Sequence, residues 1–305
     1  MLLDAASLYF RAFYGVPTSV TTPDGRPINA VRGFLDMTAR LVTAHGPDHL
    51  VACWDDDWRP AFRVEALPSY KAHRLAADGG EETPEELGPQ VPILVEVLAA
   101  AGLARVGAPG YEADDVIGTL ATRARGPVDV VTGDRDLFQL VDDARAVRVL
   151  YTARGIADLE FVDEATVTAK YGIPGRAYAD FAVLRGDPSD GLPGVAGVGA
   201  KTAAALIDEF GDLAGIRAAV ARTVVPKPPL TAAVLKKLHA AAGYLDAAPV
   251  VVAVARDIDL PPVEGPLPRS PADAGALAAL ARAHGLQSSL SRLGAALGWR
   301  EDVVG

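Results

Sequence analysis

The sequence predicts an α/β fold: a parallel-sheet domain followed by a smaller helical region. Three observations predict it. Short apolar runs alternate with helical patterns through the first 150 residues. Clusters of acidic residues fall where those runs end. After about residue 163 the strand-like runs give way to helical patterns.

The expected strands are Met1–Leu3, Leu50–Trp54, Leu103–Val106, Val128–Thr132 and Val147–Tyr151. They are apolar on both faces, as strands between two helical layers are. Helical periodicity covers Ala30–Ala44, Val91–Gly102 and Ala113–Ala124 between them. This alternation reads as a parallel sheet, with ligand sites beyond the carboxyl ends of the strands. Lys71–Gln90 breaks the rhythm with the polar, turn-rich AADGGEETPEELGP. It reads as a mobile loop or short irregular helices, and long inserts of this kind are usually functional or disordered. Beyond it, helices are expected over Glu164–Tyr171, Arg176–Leu184, Ala200–Phe210, Asp212–Val220 and Thr231–Leu245. Val250–Val254 reads as extended, 261–271 as a proline-rich connector, and Ala272–His284 as a last helix before a tail. The expected division is a sheet domain over 1–163, a helical region over 164–260 and a C-terminal segment over 261–305.

Composition bounds the function. Hydrophobic residues make up 50% of the 305 and charged residues 22%, which excludes global disorder. The lone Cys53 excludes an internal disulfide or a cysteine zinc cluster and fits a reducing cytosol. The start, MLLDAASLYFRAFYG, has Asp4 where a signal peptide would be basic, and no run of 18 uncharged apolar residues occurs. A cytoplasmic location is expected. The net charge of −10 argues against nucleic acid unless the acid is localised. Setting aside nine clustered carboxylates leaves 30 acidic residues against 29 basic ones.

Those nine are Asp4, Asp55, Glu112, Asp114, Asp115, Asp134, Asp136, Asp187 and Asp190. Each cluster alone fits turn, capping or helix-dipole chemistry. Together they fall at strand ends and loops of one sheet edge. So many carboxylates at close range raise one another's pKa unless cations offset them. An all-oxygen donor set selects hard ions such as Mg²⁺ or Mn²⁺, and two such ions support phosphodiester cleavage. A second signal is GLPGVAGVGAKTAAALI at 191–207. Gly194, Gly197 and Gly199, with Lys201 and Thr202, read as a hairpin opening a helix, which presents N–H groups to a DNA backbone. A third is basic: Arg11, Lys71 and Arg74 can clamp a phosphate, and Phe10 can stack on a base.

The stretches LLDAASLYFRAF, SYKAHR, PGYEADDVIG, TGDRDLFQL and LRGDPSDGLPGVAGVGAKTA together resemble the bacterial 5′-nuclease family. That family includes the 5′→3′ exonuclease domain of DNA polymerase I, phage 5′ nucleases and flap endonucleases. The resemblance covers roughly residues 1–260. It implies a PIN-like fold with a helix-hairpin-helix insert, and a metal-dependent nuclease with 5′-flap endonuclease and 5′→3′ exonuclease activity in replication and repair. It implies that the nine carboxylates bind two or more divalent ions, with Asp4, Asp55, Glu112 and Asp114 on the first ion's side and Asp136, Asp187 and Asp190 on the second's. Lys71 matches the family's active-site lysine, Arg74 the arginine beside it, and Arg11 a basic residue near the scissile phosphate. Backbone carbonyls of Leu184, Arg185, Pro193, Val195 and Val198 match those holding a potassium ion in the hairpin. The implied substrate is DNA with 5′ ends, flaps or nicks, RNA–DNA hybrids included. A stand-alone, monomeric enzyme is expected. The alternatives are a structure-specific DNA binder that has lost turnover and a PIN-type ribonuclease.

Overall fold

Six strands form a single sheet in the order β3-β2-β1-β4-β5-β6, with β1 Leu2–Asp4, β2 Val51–Cys53, β3 Ala104–Val106, β4 Val128–Thr132, β5 Val147–Tyr151 and β6 Glu160–Val162. The pairings from β3 to β5 are parallel, and β6 runs antiparallel along β5. The computed structural model describes residues 1–77, 79–222, 225–263 and 266–300. The end of the expected tail, 301–305, therefore lies outside the described residues. So does part of the connector, at 264–265.

Among the described residues the helices up to β5 are α1 Ala5–Gly15, α2 Asn29–His45, α3 Ala61–Ala66, α4 Gln90–Ala101 and α5 Ala113–Arg123. After β6 come α6 Glu164–Tyr171, α7 Tyr178–Arg185, α8 Ala200–Phe210, α9 Leu213–Arg222, α10 Ala232–Ala240, α11 Ala242–Val252, α12 Ala274–His284 and α13 Gln287–Leu297. Among the described residues no helix is long and apolar enough to cross a membrane.

Side chains alternate across the strands, so the sheet has two apolar faces. Leu3, Ala52, Val131 and Leu150 enter one core with Phe34 and Leu35 of α2, Leu94 and Val97 of α4, and Leu290 and Leu293 of α13. Leu2, Val51, Cys53, Val130 and Val149 enter the other, with Val116 of α5, Phe181 of α7, Leu206 of α8 and Val251 of α11. Sheet and helical region thus share one continuous core. All five expected strands form, each within about a residue of the expected bounds.

Several elements depart from expectation. Helix α1 follows β1 without a loop, because Asp4 ends the strand and also caps the helix by accepting from the Ser7 N–H. Val250–Val252 is not extended: it closes α11, where Val251 and Val252 are buried. Tertiary packing overrides the β preference of a valine run. The helix expected over Thr231–Leu245 is two, divided at Ala241. The tail forms α13, whose Leu290, Leu293 and Leu297 share one face at helical spacing and are buried.

Leu293 is fully buried between α13 and α2. Leu293→Ala should lower the unfolding free energy by about 2–5 kcal/mol, read from denaturant midpoints at unchanged m-value.

Candidate functional site

The carboxyl ends of β1, β2 and β4 and the amino end of α5 meet at one edge of the sheet. Asp4 is 5% exposed; its Oδ1 accepts from the Ser7 N–H at 3.0 Å and its Oδ2 from the Thr132 hydroxyl at 2.7 Å. Burial pushes its pKa up to about 6, with Asp134 adding to the rise. Asp55 follows β2 and accepts from the Ala113 N–H at 2.7 Å; burial, then Asp4 and Glu112, hold its pKa at about 7. Asp114 is pushed well above the ordinary carboxylate range by burial and then by Asp4, Asp134 and Glu112. These mutual effects place the group within electrostatic reach of one another.

Glu112 is bonded through both oxygens. Its Oε2 accepts from Arg63 Nη1 at 2.6 Å and from the Tyr70 hydroxyl at 2.6 Å, and its Oε1 accepts from Lys71 Nζ. Asp115, also expected as a metal ligand, pairs with Arg63 through both oxygens. Its oxygens accept from Arg63 Nη1 and Nη2 at 2.7 Å each, from the Ala255 N–H at 2.8 Å and from the Glu112 N–H at 3.2 Å. Both of its oxygens thus have donors, as both oxygens of Glu112 and Asp4 do. Asp115 is the counter-ion that fixes Arg63, which in turn aims Glu112.

The second group gathers around Asp136, which is 7% exposed. Burial, Asp134, Asp190 and Asp187 all raise its pKa, and its Oδ1 is buried without a hydrogen-bond partner. Asp134 is exposed and accepts from the Asp136 N–H at 2.8 Å. Asp187 caps a short turn at Pro188–Asp190 through the Ser189 N–H at 2.9 Å and lies 3.5 Å from Arg185 Nη2. Asp190 is raised to about 6 by burial and lies 3.2 Å from Arg74 Nη2. Eight of the nine carboxylates thus lie in one electrostatically linked cluster in which Asp134 acts on Asp4, Asp114, Asp136 and Asp190, with Asp115 paired to Arg63 beside it.

Among the described residues no three His, Cys, Asp or Glu side chains converge closely enough to hold an ion as they stand. Glu112 is turned onto Arg63, Tyr70 and Lys71, and Asp4 onto Ser7 and Thr132. The donor chemistry nonetheless fits hard divalent cations. The set is all oxygen, its charge is poorly offset, and it includes an orphaned buried carboxylate oxygen on Asp136.

Lys71 is held in the left-handed backbone region, φ 47°, a conformation that costs a non-glycine residue about 1 kcal/mol or more. Its N–H donates to the Asp190 carbonyl at 3.0 Å, and the Ser69 hydroxyl donates to the Gly191 carbonyl at 2.9 Å. A side chain at Gly191 would come within 2.2 Å of the Ser69 carbonyl oxygen, so glycine is required there. Burial pulls the Lys71 pKa down, but Glu112 and its neighbours raise it well above the ordinary lysine value overall. Arg74 also donates to the Ser189 carbonyl at 2.8 Å. Arg11 makes no ion pair among the described residues, and its Nε is buried without a partner. Phe10 is partly buried, its ring 5.2 Å from that of Tyr9. Arg63 and Tyr70 escape sequence reading: an arginine in a short helix and a tyrosine beside a lysine carry no spacing signal.

The hairpin joins the second group to α8. Its N-cap Gly199 offers no side chain to the first helical N–H groups, and Lys201 is exposed beside Thr202. The Leu184 and Val195 carbonyls each accept a backbone N–H, from Val195 at 2.9 Å and Val198 at 2.8 Å. Lys237 Nζ donates to the Gly197 carbonyl at 2.7 Å.

Residues 1–172 match the model of the 5′-3′ exonuclease N-terminal resolvase-like domain, and residues 173–274 that of the 5′-3′ exonuclease C-terminal SAM fold. A 5′-3′ exonuclease of Streptomyces coelicolor is 61% identical over 96% of this chain and 98% of its own length. A DNA polymerase I of Mycobacterium bovis is 48% identical over 70% of this chain but only 23% of its own length. The bacteriophage T5 flap endonuclease, in a pseudo-enzyme-product complex with DNA and metal ions, has the same fold: TM-score 0.61, 18% identity, 83% of this chain and 88% of that one covered.

Two outcomes are expected. Arg63→Ala leaves Asp115 buried without a cation and Glu112 with Lys71 alone, and should cost about 3–5 kcal/mol in urea unfolding. The second concerns pH. Asp4, Asp55 and Asp190 have folded pKa values of about 6, 7 and 6 against an ordinary 3.8. Their stabilising contribution is complete below about pH 4 and is lost as pH rises through 6–7. Scanning calorimetry in EDTA should show Tm falling over that window. Added Mg²⁺ or Mn²⁺ should raise Tm more at about pH 8 than at about pH 5, because cations bind the ionised carboxylates.

Proposed function

The chain belongs to the 5′-3′ exonuclease family, and from that premise we propose a divalent-metal 5′ nuclease that hydrolyses DNA phosphodiesters. It acts at 5′ ends, nicks and flap junctions, as both exonuclease and flap endonuclease, and leaves a 5′-phosphate and a 3′-hydroxyl. One observation above the others supports it: Asp134 acts electrostatically on both Asp114 and Asp136, with Lys71 held against Glu112.

Asp4, Asp55, Glu112 and Asp114 would hold one divalent ion, Asp136, Asp187 and Asp190 a second, and Asp134 would serve both. When bound, such ions supply Lewis acidity, offsetting charge on the phosphate and lowering the pKa of water. The residues do the rest. Thr132 and Ser7 keep both Asp4 oxygens oriented. Arg63 and Tyr70 fix the Glu112 carboxylate. Lys71 stays protonated and exchanges Glu112 Oε1 for a phosphate oxygen, where its charge stabilises the developing oxyanion. Arg74 and the unpaired Arg11 contact neighbouring phosphates, and Phe10 packs against a base.

The hairpin at Gly194, Gly197 and Gly199, with Lys201 and Thr202, grips the duplex backbone without reading bases. This reading gives it a potassium ion on the carbonyls of Leu184, Arg185, Pro193, Val195 and Val198. The enzyme works as a monomer in the cytoplasm, in replication and repair, and accepts RNA–DNA hybrids as well as DNA.

The test is a labelled duplex with a 5′ flap, incubated with Mg²⁺, Mn²⁺ or EDTA and sized on a sequencing gel. Cleavage in either metal and none in EDTA is expected. Asp134→Asn should lower the rate at least about a hundredfold with an unchanged circular dichroism spectrum. Activity of that variant near the wild-type level would sink the assignment.

A further inference from the structure

The segment between Arg74 and α4 follows a different logic from the site beside it. No Lys or Arg occurs between Leu75 and Ala104, whereas Glu81, Glu82, Glu85 and Glu86 crowd one short stretch. This stretch forms a strap tied at both ends. At its start Leu75 pairs antiparallel with Glu81, Ala76 accepts from Gly79 at 3.0 Å and donates to Gly80 at 2.9 Å, and the Glu82 N–H donates to the Arg74 carbonyl at 2.7 Å. At its end Leu87 is buried against Phe13 of α1 and Ala30 of α2. Gln90 is buried as well, donating to Asn29 Oδ1 at 3.1 Å and accepting from the Ala30 N–H at 2.8 Å. The strap therefore runs along one rim of the carboxylate site, from Arg74 to the helix that carries Phe10 and Arg11.

Its charges are not offset locally. Glu82, Glu85 and Glu86 are exposed. Glu81 is partly buried within electrostatic reach of Lys71, Arg74 and Glu112, and its pKa is raised, by burial first. Lys71 is already committed to Glu112, and Arg74 to Asp190 and the Ser189 carbonyl. A single strand that left the site along this rim would bring one phosphate charge per nucleotide past these carboxylates.

We propose that the strap selects substrate by charge: it disfavours long single-stranded 5′ flaps and leaves nicked, recessed or barely displaced 5′ ends as the preferred substrate. This rests on the 5′-nuclease reading and refines it. The carboxylates act at range, within a Debye length of about 8–10 Å at ordinary salt, so the discrimination is screened as ionic strength rises.

The experiment compares kcat/KM on a nick and on a long flap built on the same duplex. It uses the full chain, the triple variant Glu82→Gln, Glu85→Gln, Glu86→Gln, and the triple Lys variant at the same positions. The expected result is a wild-type preference for the nick. The Gln variant should gain about fivefold on the flap and the Lys variant more, with nick cleavage within about twofold in both. The flap-to-nick ratio should climb with salt in the wild type, stay level in the Gln variant and fall in the Lys variant. Equal ratios in all three proteins, or a wild-type ratio that does not move with salt, would overturn the proposal. Absence of cleavage on both substrates would instead strike the nuclease reading. The same ratios taken as binding constants in EDTA would then still decide the strap.

Discussion

A buried guanidinium holds the active edge together. Arg63 is 2% exposed and is pinned between Glu112 and Asp115 on α5, with its Nε donating to the Val251 carbonyl at 2.9 Å. Asp115 also accepts from the Ala255 N–H, just past α11. One side chain thus joins α3, the capped start of α5 and the end of α11. Removing a partner from such a cluster strands a charge in a low-dielectric interior, which is why the arrangement is exacting and not merely favourable. The position of Glu112, and through it that of Lys71, depends on this contact.

The same edge is under electrostatic stress. Burial and mutual repulsion lift Asp4, Asp55, Asp114, Asp136 and Asp190 above the ordinary carboxylate range. A fold optimised for stability alone would not assemble them. The cost is tolerated because the acids sit on strand ends and turns braced from behind, by Thr132, Ser7, Arg63 and the α5 backbone. The two apolar cores on either side of the sheet carry the stability that this edge lacks.

Most of this was visible in the amino-acid order, for identifiable reasons. Strands buried on both faces leave unbroken apolar runs, and acids at their ends stand out against them. Asp4 was legible as a strand-end acid but not as the cap that starts α1, since one residue does both jobs. The β6 strand pairs only at the sheet edge and has no apolar run. Val250–Val252 reads as extended from its branched side chains and is helical because its neighbours bury it. Asp115 looks like its neighbours in EADD, and its two-point pairing with Arg63 is invisible in the sequence. That pairing spans 52 residues of chain and has no local signature.

The stapling of the segment around Lys71 to the turn before the hairpin has a mechanical consequence. The Asp190 carbonyl that receives the Lys71 N–H and the Gly191 carbonyl that receives the Ser69 hydroxyl belong to the peptide run that leads into Gly194, Gly197 and α8. Lys71 has no slack of its own, because its left-handed backbone is held by those partners. The part that would grip duplex and the part that would meet the scissile phosphate are therefore joined directly. A shift at the hairpin would reach the lysine through these two hydrogen bonds.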